Sequence, residues 1–246
     1  MRLIFLSSRC ASSPHGALAT VFRMYPSVPL IDSSESYVEV TEPPLAYYEY
    51  IDAGDTNPSS CVVISGARQS PSYFPKEVGA LIPDWDFALG GHVVRSLLER
   101  DAGLDSVEER RRTISVHVRL GDYKLLEHHQ QDLDRYYLEA LKKVEPGSRL
   151  HLFSDEPHLC ADIFFRAAAE RGVRLTVARV RADVESLYEM SLCLGGNIVA
   201  NSTFSWWGAW LAHQNGSPWA TYPSNWGKGM PEPTSLFPEW GIIVPV

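Results

Sequence analysis

The sequence predicts an α/β protein built on a parallel sheet, and three observations predict it. From Thr113 onward, short apolar runs alternate with amphipathic segments, the pattern of strands joined by crossover helices. Glycine or a Pro-Gly pair closes each amphipathic segment. The polar clusters fall directly after the strand candidates, at the edge where open parallel sheets hold their ligands.

At 246 residues the chain is long enough for two compact halves. We expect a short amino-terminal α/β domain over 1–105 and a second domain over 106–246. In the first, strands are expected at 2–7 and 61–66 and helices near 74–82 and 86–100. Residues 25–60, rich in Pro, Ser and acidic side chains, read mostly as loop. The charged stretch 98–112, "LERDAGLDSVEERRR", reads as a solvated helix end and linker.

In the second half the strand candidates are "TISVHV" (113–118), "RLHLF" (149–153), "RLTVA" (174–178), "NIVA" (197–200) and "WATY" (219–222). Leu133, Tyr136, Tyr137, Ala140, Leu141 and Val144 recur at helical spacing before Pro146-Gly147. Pro157 opens the next helix and Gly172 ends it. Val184, Leu187, Tyr188 and Leu192 mark a third, closed by Gly195-Gly196.

Composition narrows the function. Against 30 Asp+Glu stand 22 Lys+Arg, and the net charge of −8 has the wrong sign for a nucleic-acid backbone. Cys10, Cys61, Cys160 and Cys193 show no C-x-x-C spacing, so buried free thiols in a reducing compartment are expected. The start, "MRLIFLSSRC", is too short in apolar residues for a signal-peptide core, and no run is long enough to span a membrane. The expected setting is cytoplasmic.

Four clusters follow the strands: "HVRLGDY" (117–123), "SDEP" (154–157), "RVRAD" (179–183) and "NSTFSWWG" (201–208). If Phe204 and Trp206 begin a helix, the N–H groups from Ser202 to Ser205 are unpaired donors at its positive end, a phosphate cradle. Trp206, Trp207 and Trp210 would then brace that helix against the sheet. The same run, beginning at Asn201, also reads as an ordinary cap over a tryptophan core. His117 and Arg119 alternate on one strand face, and Arg presents a fork matched to phosphate oxygens. Arg119 also reads as an ion-pair partner of Asp122 or Glu127. Asp155 and Asp183 sit where strands meet helices and read first as caps, then as ligands of a guanine edge or a ribose hydroxyl. Asp84-Trp85-Asp86 and Asp132-Leu133-Asp134 match the D-x-D pattern of metal-dependent sugar transferases, but so short a pattern recurs by chance, and no metal and no cofactor are expected.

On these residues the chain resembles the inverting fucosyltransferases that use GDP-fucose, most closely the α1,2-fucosyltransferase family. "HVRLGDY" resembles that family's H-x-R-R-G-D-Y signature, "LFSDE" its F-S-D-D strand end, and "DVESLYEMSLCLGGNIVANSTFSWWGAWL" its long carboxy-terminal motif. "ISGARQSPSYFPKEV" (64–78) is similar to a segment that precedes the nucleotide domain there. The resemblance implies a GT-B-like fold of two facing Rossmann-like domains with parallel sheets, the amino-terminal one short. It implies a GDP-sugar donor in the carboxy-terminal domain, a glycan acceptor between the two, and no metal. It makes Arg119 the pyrophosphate ligand, places His117 near the nucleotide, gives Ser202, Thr203 and Phe204 the phosphates, and gives Asp183 the guanine.

Three departures bear on donor and acceptor choice. Leu120 stands where the signature has its second Arg, "SSPHGALATVF" (12–22) replaces a G-x-G-N-Q loop, and the amino-terminal half is short. The acceptor hydroxyl needs a base, for which Asp122 and Glu127 are the candidates. Related core α1,6-fucosyltransferases carry a carboxylate about ten positions past the signature His, a spacing Glu127 reproduces, and Glu127 reads equally as a surface residue. Transfer of another sugar, such as xylose or rhamnose, and a non-catalytic nucleotide- or glycan-binding module are the competing readings.

Overall fold

The computed structural model describes residues 5–6, 24, 30–31, 37–41, 61–65, 83–129, 133–230, 233 and 235–246. The chain divides into two compact units, Met1–Arg95 and Ser96–Val246.

In the first unit, strand β1 (Phe5–Leu6) pairs in parallel with β2 (Leu30–Ile31). Strand β3 (Tyr37–Thr41) pairs in parallel with β4 (Cys61–Ser65). Two of these strands lie within 25–60, the region read mostly as loop. Helix α1 (Trp85–Leu89) begins at Asp84, whose carboxylate accepts the Phe87 N–H, so the first D-x-D acid is a cap. The single helix expected over 86–100 is two. Gly90 and Gly91, at φ 84° and 119°, end α1 before α2 (His92–Asp101) begins. The expected helix at 74–82 and the loop at 12–22 lie outside the described residues.

The second unit holds one six-stranded, all-parallel sheet. Its strands are β5 (Thr113–Val118), β6 (Arg149–Ser154), β7 (Arg174–Val177), β8 (Gly196–Ile198), β9 (Ala220–Pro223) and β10 (Gly241–Val244). The order across the sheet is β7-β6-β5-β8-β9-β10, the order of a doubly wound, Rossmann-like sheet. Strand β10 was not expected from sequence. A further helix, α3 (Val107–Arg112), occupies the stretch read as linker. Ser106 caps it through the Glu109 N–H at 3.2 Å.

One face of the sheet is a conventional core. Ile114, Val116 and Val118 of β5 and Leu150 and Leu152 of β6 pack against helix α4 (Asp134–Leu141) and helix α5 (Pro157–Glu170). Tyr136, Tyr137 and Phe164 supply the aromatic bulk. The alternating residues Thr113, Ser115 and His117 face the other way, yet all six β5 residues are buried. Helix α6 (Asp183–Ser191) and helix α7 (Thr203–Gln214) belong to that second side, where Glu189 approaches His151 and Phe204 meets His117. Several of its polar groups pair with one another: Ser115 Oγ donates to Asn197 Oδ1 at 2.6 Å, and Asn197 Nδ2 to Ser217 Oγ at 2.9 Å. Burial without that pairing would cost about 1–3 kcal/mol per group.

Helices α6 and α7 lie close because Gly208 has no side chain: a Cβ there would meet Met190 Sδ at 2.6 Å. The tryptophans of α7 brace it, but against the carboxy-terminal segment. Trp206, 3% exposed, stacks on Trp210 at 5.3 Å and donates from Nε1 to the Leu236 carbonyl at 2.9 Å. Trp210 in turn approaches Trp240. Cys160 and Cys193 are free, buried thiols.

Candidate functional site

Strand order reverses beside β5. The chain leaves β5 for β6 and β7 on one side and returns to β8 on the other, so the loops after β5 and β8 diverge at their carboxyl ends. Sheets of this kind bind ligands at that reversal.

The loop after β5 carries Arg119. Its guanidinium meets Asp122 Oδ1 through Nη2 at 2.8 Å and Nε at 3.0 Å, and Asp155 Oδ2 through Nη1 at 3.1 Å. The structure thus pairs Arg119 with Asp122, one of the two acids open to it on sequence, and adds Asp155 from the end of β6. Asp155 does not cap α5: Glu156 occupies the cap position, and Asp155 Oδ1 instead accepts the Leu120 N–H at 2.9 Å. Gly121 makes that approach possible, because a Cβ there would lie 2.5 Å from Asp155 Oδ2. Lys124 pairs with Glu156 beside it.

The loop after β8 carries Asn201 and Ser202, both buried, and leads into α7. Ser202 is the cap residue of α7 but makes no side-chain cap hydrogen bond. Asn201 Nδ2 donates to the Trp226 carbonyl at 3.2 Å, and Ser205 Oγ to the Ser202 carbonyl at 3.2 Å. Thr203 and Phe204, both half-buried, open the helix.

Tyr123 joins the two loops. Its hydroxyl donates to the Asn201 carbonyl at 3.1 Å and interacts with the Ser202 side chain. Burial raises its pKa, so the hydroxyl keeps the proton it donates. The Arg119 guanidinium lies 5.7 Å from the ring centroid, and the His129 ring stacks on Tyr123 at 4.0 Å with 6° between planes. Sequence reasoning gave Tyr123 no role. Its signal was present: an aromatic hydroxyl four residues past the strand-end arginine.

His117 is buried beneath this loop, with its ring 5.6 Å from that of Phe204. Burial, and next the nearby Arg119 charge, lower its pKa to about 4 against an opposing pull from Asp155. The imidazole is therefore neutral near pH 7. Its Nδ1 has no hydrogen-bond partner among the described residues.

Two expected residues stand apart from this group. Asp183 is the first residue of α6, and the helix start is capped instead by Glu185, whose Oε2 accepts the Ala182 N–H at 3.2 Å. It follows β7, two strands from β5. Glu127 is exposed in a short helical turn, Glu127–His129, and has no ion-pair partner among the described residues. His129 of the same turn stacks on Tyr123, which ties that turn to the loop after β5.

The arrangement offers a guanidinium, an uncapped helix start and neighbouring carboxylates at one sheet edge. Together these can hold an anion and take a proton.

Comparison with known proteins gives two bacterial relatives. The chain is 30% identical over 114 residues to an alpha-1,2-colitosyltransferase of Escherichia coli, covering 40% of this chain and 36% of that protein. It is 33% identical over 111 residues to the O-antigen biosynthesis glycosyltransferase WbnK of Escherichia coli, covering 42% of this chain and 35% of that protein. The chain thus matches about a third of the length of each, and over that part it is related to glycosyltransferases. No protein-family model and no solved structure matches. Among the described residues no helix is long and apolar enough to cross a membrane.

Proposed function

We propose that the chain transfers fucose from GDP-L-fucose to a hydroxyl of a glycan acceptor, inverting the anomeric carbon. The observation that carries this reading is the Tyr123 bridge, which ties the Arg119 loop to the uncapped start of α7 at the strand-order reversal. The glycosyltransferase relationship supports the reaction class.

In the reaction, the acceptor oxygen forms a bond to the anomeric carbon while the bond from that carbon to the β-phosphate oxygen breaks. The electron pair leaves with GDP. Arg119 and the first N–H groups of α7 stabilise the departing charge, a task for preorganised donors. Asp122 and Asp155 hold the guanidinium in place, and the entering diphosphate competes with Asp122 for it. The hydroxyl proton goes to a carboxylate. Glu127 suits this role better than Asp122, because Asp122 Oδ1 is engaged by two guanidinium nitrogens and Glu127 has no such partner among the described residues. Ser202, Thr203, Phe204 and Ser205 contact the phosphates, Asn201 positions them, and Asp183 reads the guanine.

Leu120, in place of a second arginine, favours a second reading on the same scaffold, transfer of another nucleotide-linked sugar. Rhamnose, xylose or the colitose of the relative's name are the candidates.

Calorimetry against GDP, UDP and ADP, followed by GDP release from GDP-fucose with and without acceptor, tests the proposal. Saturable binding of GDP alone, with slow GDP release from the sugar nucleotide, is expected. Preference for UDP or ADP would reject the donor, and GDP binding without any release would make the chain a binder.

A further inference from the structure

A cavity of about 440 Å³ opens on the polar side of the sheet, away from the strand-order reversal. Its wall includes Arg149 and His151 of β6, which pair in register with Arg174 and Thr176 of β7. Neither Arg119 nor any residue from 199 to 205 lines it. Among the described residues five arginines, at 100, 149, 174, 179 and 181, line it with two carboxylates, Asp101 and Glu189; Arg174 also meets Glu109 Oε2 at 3.3 Å, which leaves a surplus of two positive charges.

Both acids are already engaged. Asp101 meets Arg179 Nη2 at 3.0 Å and pairs with Arg181. Glu189, 1% exposed, meets Arg181 Nε at 2.7 Å and His151 Nε2 at 3.5 Å. Among the described residues Arg149 has no ion-pair partner. It is 5% exposed, its Nε donates to Thr113 Oγ1 at 2.9 Å, and its Nη2 is buried without a hydrogen-bond partner among the described residues. His151, 3% exposed, likewise has no hydrogen bond at Nε2 among the described residues. Gly103 makes room for the guanidinium, since a Cβ there would lie 2.8 Å from Arg149 Nη1. Burial presses the pKa of Arg149 downward, against an opposing pull from Cys193 and Glu109.

We propose that this cavity is a second anion site, in which Arg149 and its arginine neighbours take the phosphate group of a small ligand. A buried guanidinium with an unused N–H is costly on its own, and a phosphate oxygen is the acceptor whose geometry matches it. The charge surplus suits a dianion better than a carboxylate. The volume exceeds what a bare ion fills and lies within the range of small-molecule sites.

The test is thermal unfolding of the whole chain titrated with inorganic phosphate and with glucose 1-phosphate. Potassium chloride holds ionic strength constant. Wild type and R119A are compared with R149Q and the surface double variant R174Q/R179Q, both built in the R119A background. A saturable rise in Tm is expected for wild type and R119A, with the apparent Kd at least tenfold weaker in R149Q and in the double variant. The side chains of Arg174 and Arg179 are 63% and 73% exposed, so the double variant decides the matter if R149Q fails to fold. Tighter binding of glucose 1-phosphate would identify a phosphomonoester, and equal binding free phosphate; either result supports the site. It is overturned if phosphate gives no saturable response in R119A, if chloride gives the same response, or if the response in the R119A background survives R174Q/R179Q.

Discussion

The hydroxyl of Tyr123 donates to the main-chain carbonyl of Asn201 across 78 residues of sequence, binding the loop after β5 to the loop after β8. The same ring is approached by the Arg119 guanidinium, 5.7 Å from its centroid, and stacks on the His129 imidazole. Tyr123→Phe keeps the ring and removes the bond. The expected result is a stability loss of about 1 kcal/mol by urea unfolding. GDP affinity should also fall several-fold by calorimetry, because the two halves of the proposed donor site lose their tie. Unchanged GDP affinity would reduce the bridge to a structural contact.

Arg119→Ala should abolish saturable GDP binding while the far-ultraviolet circular dichroism stays native. Asp122→Asn is expected to act in the opposite direction on binding. In the proposed reaction Asp122 competes with the diphosphate for Arg119, so its removal should raise GDP affinity several-fold. A fall in affinity for Asp122→Asn would show that Asp122 aids the ligand.

For Glu127→Gln, GDP affinity should be preserved and the rate of sugar transfer reduced by two orders of magnitude or more, the usual contribution of a positioned base. Initial rates with a glycan acceptor measure this. A normal rate would return the base role to Asp122.

His117 carries a pH dependence whose sign follows from its pKa of about 4, below the ordinary 6.5. Between these values the unfolded chain binds the proton and the folded chain does not. Stability therefore falls as pH drops from 6.5 toward 4, by on the order of 3 kcal/mol in full, and is unaffected by this group above 6.5. Urea unfolding at a series of pH values should show that slope in wild type and a shallower one in His117→Asn. Parallel profiles would remove His117 as the cause.

Gly208→Ala should cost about 1–3 kcal/mol, since the new methyl meets both Met190 Sδ at 2.6 Å and Met190 Cβ at 3.0 Å. Rotation of the thioether relieves the first contact but not the second, so α6 and α7 must separate. Chemical unfolding measures the loss, and a neutral result would mean the helices shift freely.

Strands β5 to β9 and helices α4 to α6 were legible because each carries its own periodic signal. Elements that depend on a neighbour were not. Gly-Ile-Ile-Val at β10 is too short to announce itself and becomes a strand by pairing with β9. Val-Glu-Glu-Arg-Arg-Arg at α3 has no apolar face and reads as linker, yet Ser106 caps it. The break at Gly90-Gly91 required φ values that the composition allowed but did not demand.

The candidate site divides in the same way. That Arg119, Asp155 and Asn201–Ser205 follow strands was readable, and so was their shared sheet edge. That Asp155 leaves its own helix to hold Leu120 and Arg119 was not, because the partner lies 35 residues away and depends on the β5–β6 register.

By itself the sequence determined the parallel α/β class, the strand ends that carry polar residues, and the alternation of Thr113, Ser115 and His117 with Ile114, Val116 and Val118. Only the tertiary structure decided that the polar half of β5 is buried too, that Arg119 stands between two carboxylates, and that Arg149 faces a cavity with no ion-pair partner among the described residues. Local periodicity records which side chains share a face, whereas the charge that each one meets is set by strands and helices brought together from distant parts of the chain.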